Sequence, residues 1–354
     1  MNKKLLTTAV GVALAGGMGL ATADVKLYGQ LDVSYDYLNQ DEADNLSDLR
    51  SNTSAIGVKG SEDLGNGMEA FFKVEYQTDL VNDGGDINRD GNRGDDGWTG
   101  RDQYLGLGHE VAGKLALGTM STAYKAQAAK IDPFYRTSLQ SRTLGLQSSL
   151  HAGKGEEGQG RATNTIGYSS PNWGGLGLLG TYTLDSDDND NEDDNPWSVG
   201  ASFSGLGGLY AFASYVTTNA GGDDDATQFG LQYALDAFEV HGIYEIDGGL
   251  ITLRQYGLAD TPGNPNAGAG DGADVWSVGG SYTIGNNVIG ADYGQGDEVD
   301  GGQNATNTDD YDVWRIVAYH KFSERTRVYT GYANKDPDNG NELKFFSVGA
   351  RHNF

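Results

Sequence analysis

The feature that most constrains this chain is a period-two alternation of apolar and polar residues, recurring in segments roughly ten residues long. In VKLYGQLDVSYDY, Val25, Leu27, Leu31, Val33, Tyr35 and Tyr37 make one face, and Lys26, Gln30, Asp32, Ser34 and Asp36 the other. In MEAFFKVEYQ, Ala70, Phe72, Val74 and Tyr76 oppose Glu69, Lys73, Glu75 and Gln77. LGLLGTYTL, FEVHGIYEI, DVWSVGGSYTI and the C-terminal FFSVGARHNF behave the same way. Successive side chains of a strand point to opposite faces, so each segment reads as a strand with one apolar and one wet face. About ten residues is also what a tilted strand needs to cross a bilayer.

The connections alternate as well. Short turns such as DLGNG (63–67), PNWGG (171–175), SGLGG (204–208), GNN (285–287) and SER (323–325) take turns with long polar stretches. Those stretches run roughly 39–53, 80–100, 122–162, 185–196, 218–226, 247–272, 296–309 and 335–342. Counting strands between them gives about sixteen, an even number of antiparallel neighbours. All six prolines are expected in turns or loops, as an unbroken hydrogen-bonded ladder demands. A soluble sandwich seldom runs to this length in one domain, and no fixed-period repeat supports a β-helix. The expected fold is therefore all-β: a transmembrane antiparallel β-barrel of about sixteen strands, with short periplasmic turns and long outer loops.

The two ends fit that expectation. Residues 1–23, MNKKLLTTAVGVALAGGMGLATA, have two lysines, an uncharged run and Ala21-x-Ala23, the layout of a cleaved secretory signal peptide rather than a membrane anchor. The mature domain would be 24–354. Losing Lys3 and Lys4 leaves 22 bases against 50 acids, a net charge of −28, which makes nucleic acid a poor partner. There is no Cys, so disulfides contribute nothing. At the other end the alternation runs to the last residue, with Phe354, His352, Ala350, Val348 and Phe346 on one face. A terminus usually frays. A terminal strand that pairs with the first strand closes the wall and has no free edge.

Several of these stretches resemble the general, non-specific trimeric porins of Gram-negative outer membranes. They are VKLYGQLDVSYDY, the hairpin SNTSAIGVKGSEDLGNGMEAFFKVEYQ, RDQYLGLG with GKLALGTM, NTIGYSSPNWGGL, FSERT and the terminal VGARHNF. The resemblance covers essentially all of 24–354. It implies a homotrimer of sixteen-stranded barrels, each with its own water-filled pore, narrowed by the third long loop folding inward. It also implies that Phe354, with His352 on its face, belongs to the signal read by the outer-membrane assembly machinery.

By length, the constriction loop is expected at 122–162. Its acids are Asp132, Glu156 and Glu157, and its bases include Lys125, Lys130, Arg136, Arg142 and Lys154. Selectivity in such a pore comes from width and from fixed charges facing each other across the narrowest point. The resemblance places basic residues on the opposite wall at Arg101 and Arg161, with Lys59 a third candidate by its parity with Gly57. Leu105 and Leu107 share the parity of Arg101, so either that strand faces a neighbouring subunit or the register slips by one. Ala55 and Gly118-Thr119 stand where the family often carries arginines. With the acidic balance, this leads to an expectation of cation preference.

Other chemistry finds less support. DINRDG offers Asp86, Asn88 and Asp90 as the start of a calcium loop, but position twelve is Gly97 and no helices flank it. No metal and no cofactor are expected. DSDDNDNEDDN at 185–195 reads as a solvated outer loop that could bridge to lipopolysaccharide phosphates through divalent ions. His241, Glu239 and Glu245 share a strand face, yet no serine elbow or HExxH motif accompanies them, so an enzyme is not expected. The expected function is passive diffusion of ions and small hydrophilic solutes. The alternatives are a substrate-specific channel, hinted at only by Tyr28 and Phe71, or a structural or adhesive barrel.

Overall fold

The computed structural model describes residues 24–41, 45–81, 98–152, 154–155, 160–184, 195–218, 225–252, 272–298, 310–338 and 340–354. The signal-peptide expectation, Asp86, Asn88 and Asp90, Glu156 and Glu157, and the acidic run 185–194 lie outside them.

The strands follow one another round a single sheet. In the first half these are β1 (Asp24–Gln40), β2 (Leu46–Ser51), β3 (Ala55–Gly65), β4 (Met68–Thr78), β5 (Trp98–His109), β6 (Gly113–Ser121), β7 (Lys154–Gly155), β8 (Arg161–Ser169) and β9 (Leu176–Thr183). The second half comprises β10 (Trp197–Gly205), β11 (Leu209–Thr217), β12 (Asp225–Leu235), β13 (Phe238–Gly248) and β14 (Val275–Ile284). It ends with β15 (Asn287–Gly296), β16 (Tyr311–Lys321), β17 (Thr326–Pro337) and β18 (Leu343–Asn353). β2 and β3 both pair with β1, one above the other, and count as one wall strand interrupted at Asn52–Ser54. β7 is a two-residue segment lying parallel to β8 within a loop. The wall is thus a closed antiparallel barrel of sixteen strands. The long stretch placed at 39–53 proves shorter than expected, because β1 and β2 extend the wall into it.

Closure is made by β1 against β18, from Gln30 opposite Asn353 to Gln40 opposite Leu343. The last residue takes part: Phe354 N donates to Gly29 O, and Gly29 N donates to Phe354 O, both at 3.0 Å. The Phe354 ring lies over Gly29, where any Cβ would meet it.

The faces sort as the alternation requires. Asp32, Ser34 and Asp36 are buried inside, whereas Leu31, Tyr35 and Tyr37 are exposed outside. Outward Trp–Tyr pairs gather near the long-loop rim: Tyr76–Trp98, Trp197–Tyr215, Trp276–Tyr293 and Trp314–Tyr332. Phe238–Tyr282, Phe322 and Phe354 sit near the short-turn rim. Two aromatic belts bounding an apolar band are what the two interfaces of a membrane select.

The apolar core is not between layers but inside the barrel. Residues 122–152 fold inward as α1 (Ala123–Ala128), α2 (Ser141–Leu144) and a 3-10 turn (Ser149–His151). Phe134, Leu139, Leu144 and Leu146 pack on Tyr311, Val313, Val317, Tyr329, Ala333 and Phe345 of the wall. Ala128 and Ile131 pack on Tyr210, Phe212 and Ile243. Tyr124 and Leu150 pack with Val216 and Ala226. The sequence carries a trace of this in YDVWRIVAYHK, where both faces hold large apolar residues. The outward ones meet lipid and the inward ones meet the loop.

Candidate functional site

The inward loop is anchored chiefly by wall side chains that reach its backbone. Arg351 donates to the carbonyls of Tyr135 (3.1 and 3.2 Å) and Arg136 (2.7 Å), and Ser277 Oγ donates to Leu146 O at 2.6 Å. Tyr311 Oη donates to Gly145 O at 2.9 Å, and Gln228 Nε2 to Tyr124 O. Arg315 is wholly buried and links three partners: Asp292 of the wall at 2.7 Å, Asp132 of the loop at 3.2 Å, and the Leu139 carbonyl. An irregular segment inside a barrel must satisfy its backbone groups locally, and these side chains do so.

Glu245 holds the two ends of the loop together. Its carboxylate accepts from Tyr124 Oη at 2.7 Å, Ser148 N at 2.9 Å, Ser148 Oγ at 2.5 Å and His151 Nε2 at 3.0 Å. His241, its neighbour on the strand face, bonds instead to Asp292 at 2.7 Å. The shared strand face of His241, Glu239 and Glu245 thus serves loop anchorage and wall pairing.

Because the loop packs against β10–β18 and β1, the wall formed by β3, β4, β5 and β8 stands opposite it. Here the charges converge. Arg101 Nε lies 2.5 Å from Glu75 Oε1, and Arg101 Nη1 donates to Gln77 at 2.8 Å. Arg161 Nε lies 2.7 Å from Asp102 Oδ1. Lys73 reaches both acids, at 2.7 Å to Asp102 and 3.5 Å to Glu75. Tyr28 Oη donates to Glu75 at 2.8 Å, and Lys59 Nζ sits 5.0 Å from the centre of the Tyr28 ring.

A bulge resolves the parity of RDQYLGLG. Val74 faces Gln103 and Tyr76 faces Gly100, so Arg101 and Asp102 together stand opposite the single residue Glu75. An extra residue in one strand shifts the alternation by one. Arg101 therefore turns inward, while Leu105 and Leu107 remain exposed outside. A second register shift, between Gly118 and Met120 against β8, lies just below Arg161.

The expected loop residues part company. Asp132 turns into the loop's packing, buried against Arg315, and its oxygens also accept from Phe134 N at 3.1 Å and Ser141 N at 2.8 Å. Arg136 crosses to the wall, its Nη2 3.3 Å from Glu75 Oε1. Its backbone has φ +65°, a left-handed conformation that costs a non-glycine residue about 1–2 kcal/mol. Arg142 is held by Gln140 Oε1 at 3.0 Å and the His151 carbonyl at 2.5 Å, with its guanidinium 5.0 Å from the Tyr135 ring centre. Lys125, on the first turn of α1, is only 3% exposed. Burial pushes its ammonium well below the usual lysine range, and repulsion from Arg142, Arg161 and Arg101 adds to this, with Asp102 opposing.

Sequence reading named Arg101, Arg161 and Lys59 but did not single out Lys73, Glu75 or Asp102 for this site. For Lys73 and Glu75 the sign was the inward parity of MEAFFKVEYQ. The tie between Arg161 and the β4–β5 pair needed the bulge. His352 bonds Thr326 Oγ1 at 2.8 Å on the outer face, near the Phe354 closure. Among the described residues no cluster of three or more His, Cys, Asp or Glu could hold a metal ion.

The chain is similar to known porins. The profile of the family described as Gram-negative porin matches residues 7–340. Outer membrane porin protein 32 of Delftia acidovorans is 30% identical over 52% of this chain, and that match spans half of the Delftia protein's length. Major outer membrane protein P.IB of Neisseria sicca is 25% identical over 98% of this chain and 99% of its own. Among solved structures, OmpF of Salmonella typhi in complex with daunomycin superposes with a TM-score of 0.67 at 14% identity, covering 93% of this chain and 97% of that one. OmpT of Vibrio cholerae gives 0.65 at 16%, covering 95% and 99%. At such identities the superpositions speak for the fold alone, and the family profile carries the assignment: this outer-membrane barrel belongs to the Gram-negative porin family.

Proposed function

We propose that this porin is a general diffusion channel for ions and small hydrophilic solutes, assembled as a homotrimer after removal of residues 1–23. Solutes pass down their gradients between the inward loop and the wall of β3, β4, β5 and β8. The loop sets the width, and the fixed charges on either side set the field.

The sign of selectivity turns on one observation. At the narrow zone the described bases Lys59, Lys73, Arg101, Arg161, Lys125, Arg136 and Arg142 outnumber the acids Glu75 and Asp102. Asp132, the loop acid expected to face the wall, is spent on Arg315. This supports a preference for anions, opposite to the cation preference that the missing wall arginines and the net charge suggest. Net charge by itself weighs little here, because charges farther apart than a Debye length of about 8 Å are largely screened. Single-channel recording under a potassium chloride gradient tests both parts. Conductance closing in three steps with an anion-sign reversal potential is expected. A cation-sign potential would overturn the selectivity, and a folded trimer without conductance would overturn the channel.

A further inference from the structure

The connection from β13 to β14 leaves the outer rim at Asp247 and returns at Ala273, and its two stems reach into the barrel. Gly249 has φ +101°, a left-handed turn that glycine makes without strain. Leu250 and Ile251 beyond it are wholly buried. With Ala273 of the returning stem they pack in one cluster with Tyr124 and Leu150 of the inward loop and Val216 and Ala226 of the wall. Tyr124 lies in the first turn of α1 and Leu150 in the 3-10 turn, so the cluster joins the two ends of the inward loop. One carboxylate shapes these stems. Asp247 Oδ1 accepts from Gly249 N at 2.9 Å and Ile251 N at 2.8 Å. Its Oδ2 accepts from Thr252 N at 3.1 Å, Thr252 Oγ1 at 2.5 Å and Ala273 N at 3.2 Å. Asp274 answers across the stems, its Oδ1 accepting from Asp247 N at 2.8 Å.

The middle of the inward loop is held by the wall, through Arg315, Arg351 and the packing on β16–β18. Its ends are held by Glu245 and by the stems of a different, outer connection. Close-packed apolar contacts pass a displacement on rather than absorb it. We propose that residues 247–252 and 273 form a strap that positions the ends of the inward loop, with Asp247, Leu250 and Ile251 as its positioning residues. The outer connection 247–273 is thereby coupled to the width and steadiness of the pore. The inference rests on reading the inward loop as the constriction. A pull on the outer connection reaches Tyr124 and Leu150 by direct contact, and no charge at the narrow zone need change for the passage to respond.

The test pairs hydrogen exchange with single-channel recording on the trimer. In Ile251→Ala, amide exchange around Tyr124 and Leu150 should quicken about tenfold or more, because a large-to-small core change loosens what packs on it. Amides around Leu139, in the wall-held middle of the loop, should keep the wild-type rate. Brief closures of the channel should become several-fold more frequent. Ile251→Leu, of like volume, should restore both readings. Should Ile251→Ala fail to form trimers, Asp247→Asn serves, since its amide accepts at one oxygen only and must release either the turn or the returning stem. Trimers that melt lower, yet exchange at the loop ends and gate as the wild type does, overturn the proposal, because the strap then contributes stability alone. Faster exchange at the loop ends with unchanged closures overturns the coupling to the pore. A wild-type trimer that carries no current fails the channel reading instead, and exchange at the loop ends still decides whether the strap positions them.

Discussion

Arg136 of the loop and Glu75 of the wall meet across the interior of the barrel, Nη2 to Oε1 at 3.3 Å. The two residues come from opposite sides of the narrow zone, so their contact is where loop and wall come together. Glu75 is shared with Arg101 and approached by Lys73, and it tempers three bases at once.

Replacing Glu75 with Gln removes that tempering. The expected outcome is a stronger anion preference, read as a reversal potential moved further to the anion side. Arg136→Ala should move it the other way and raise the unit conductance, because the side chain that spans the passage is gone. A reversal potential that moves toward the cation side in Glu75→Gln would contradict the arrangement of charges.

The Arg315–Asp132 pair is buried on both sides. Removing one partner of a buried pair leaves an uncompensated charge and costs about 3–5 kcal/mol. In Asp132→Ala, Arg315 keeps Asp292 and stays compensated, so the cost is below that figure and falls on the docking of the loop. The loop should become cleavable by protease in an otherwise heat-stable trimer, and channel current should become noisy.

Glu245→Gln is isosteric but neutral. Each hydrogen bond to a charged group contributes about 1.5–3 kcal/mol, so both ends of the loop should loosen together. Hydrogen exchange at the amides around Tyr124 and Ser148 measures this. Faster exchange at one end alone would show that Glu245 does not couple them.

Lys125 also makes selectivity depend on pH. Its folded pKa is depressed by burial and by the neighbouring arginines. It is charged below that depressed value and neutral above it. Anion preference should therefore decline as pH rises through it, at a pH lower than an ordinary lysine would give. Reversal potentials measured across pH in wild-type and Lys125→Met trimers check this, the variant being expected to show no such decline.

At the seam, a Cβ on Gly29 would come 2.2 Å from Phe354 Cζ and 2.8 Å from the Ala55 carbonyl oxygen. Gly29→Ala must displace the terminal ring, and overpacking of this kind costs about 1–3 kcal/mol. A lowered trimer melting temperature is expected, with the pore's reversal potential unchanged.

The barrel was legible in the sequence because strand parity is local. Alternate residues face opposite ways whatever the rest of the chain does, so VKLYGQLDVSYDY and FFSVGARHNF each declare a wet and an apolar face. Their pairing, and the place of Phe354 in it, follow once every edge must be closed. The charge pattern of the narrow zone is of another kind. Arg101 and Asp102 point inward together only because of a bulge opposite Glu75. Asp132 is withdrawn from the passage only because the loop's own packing brings it to Arg315, 183 residues away in the chain. Which charged groups meet which partners depends on register and loop docking between distant segments. Composition and parity do not encode those distances, and the tertiary structure decided them.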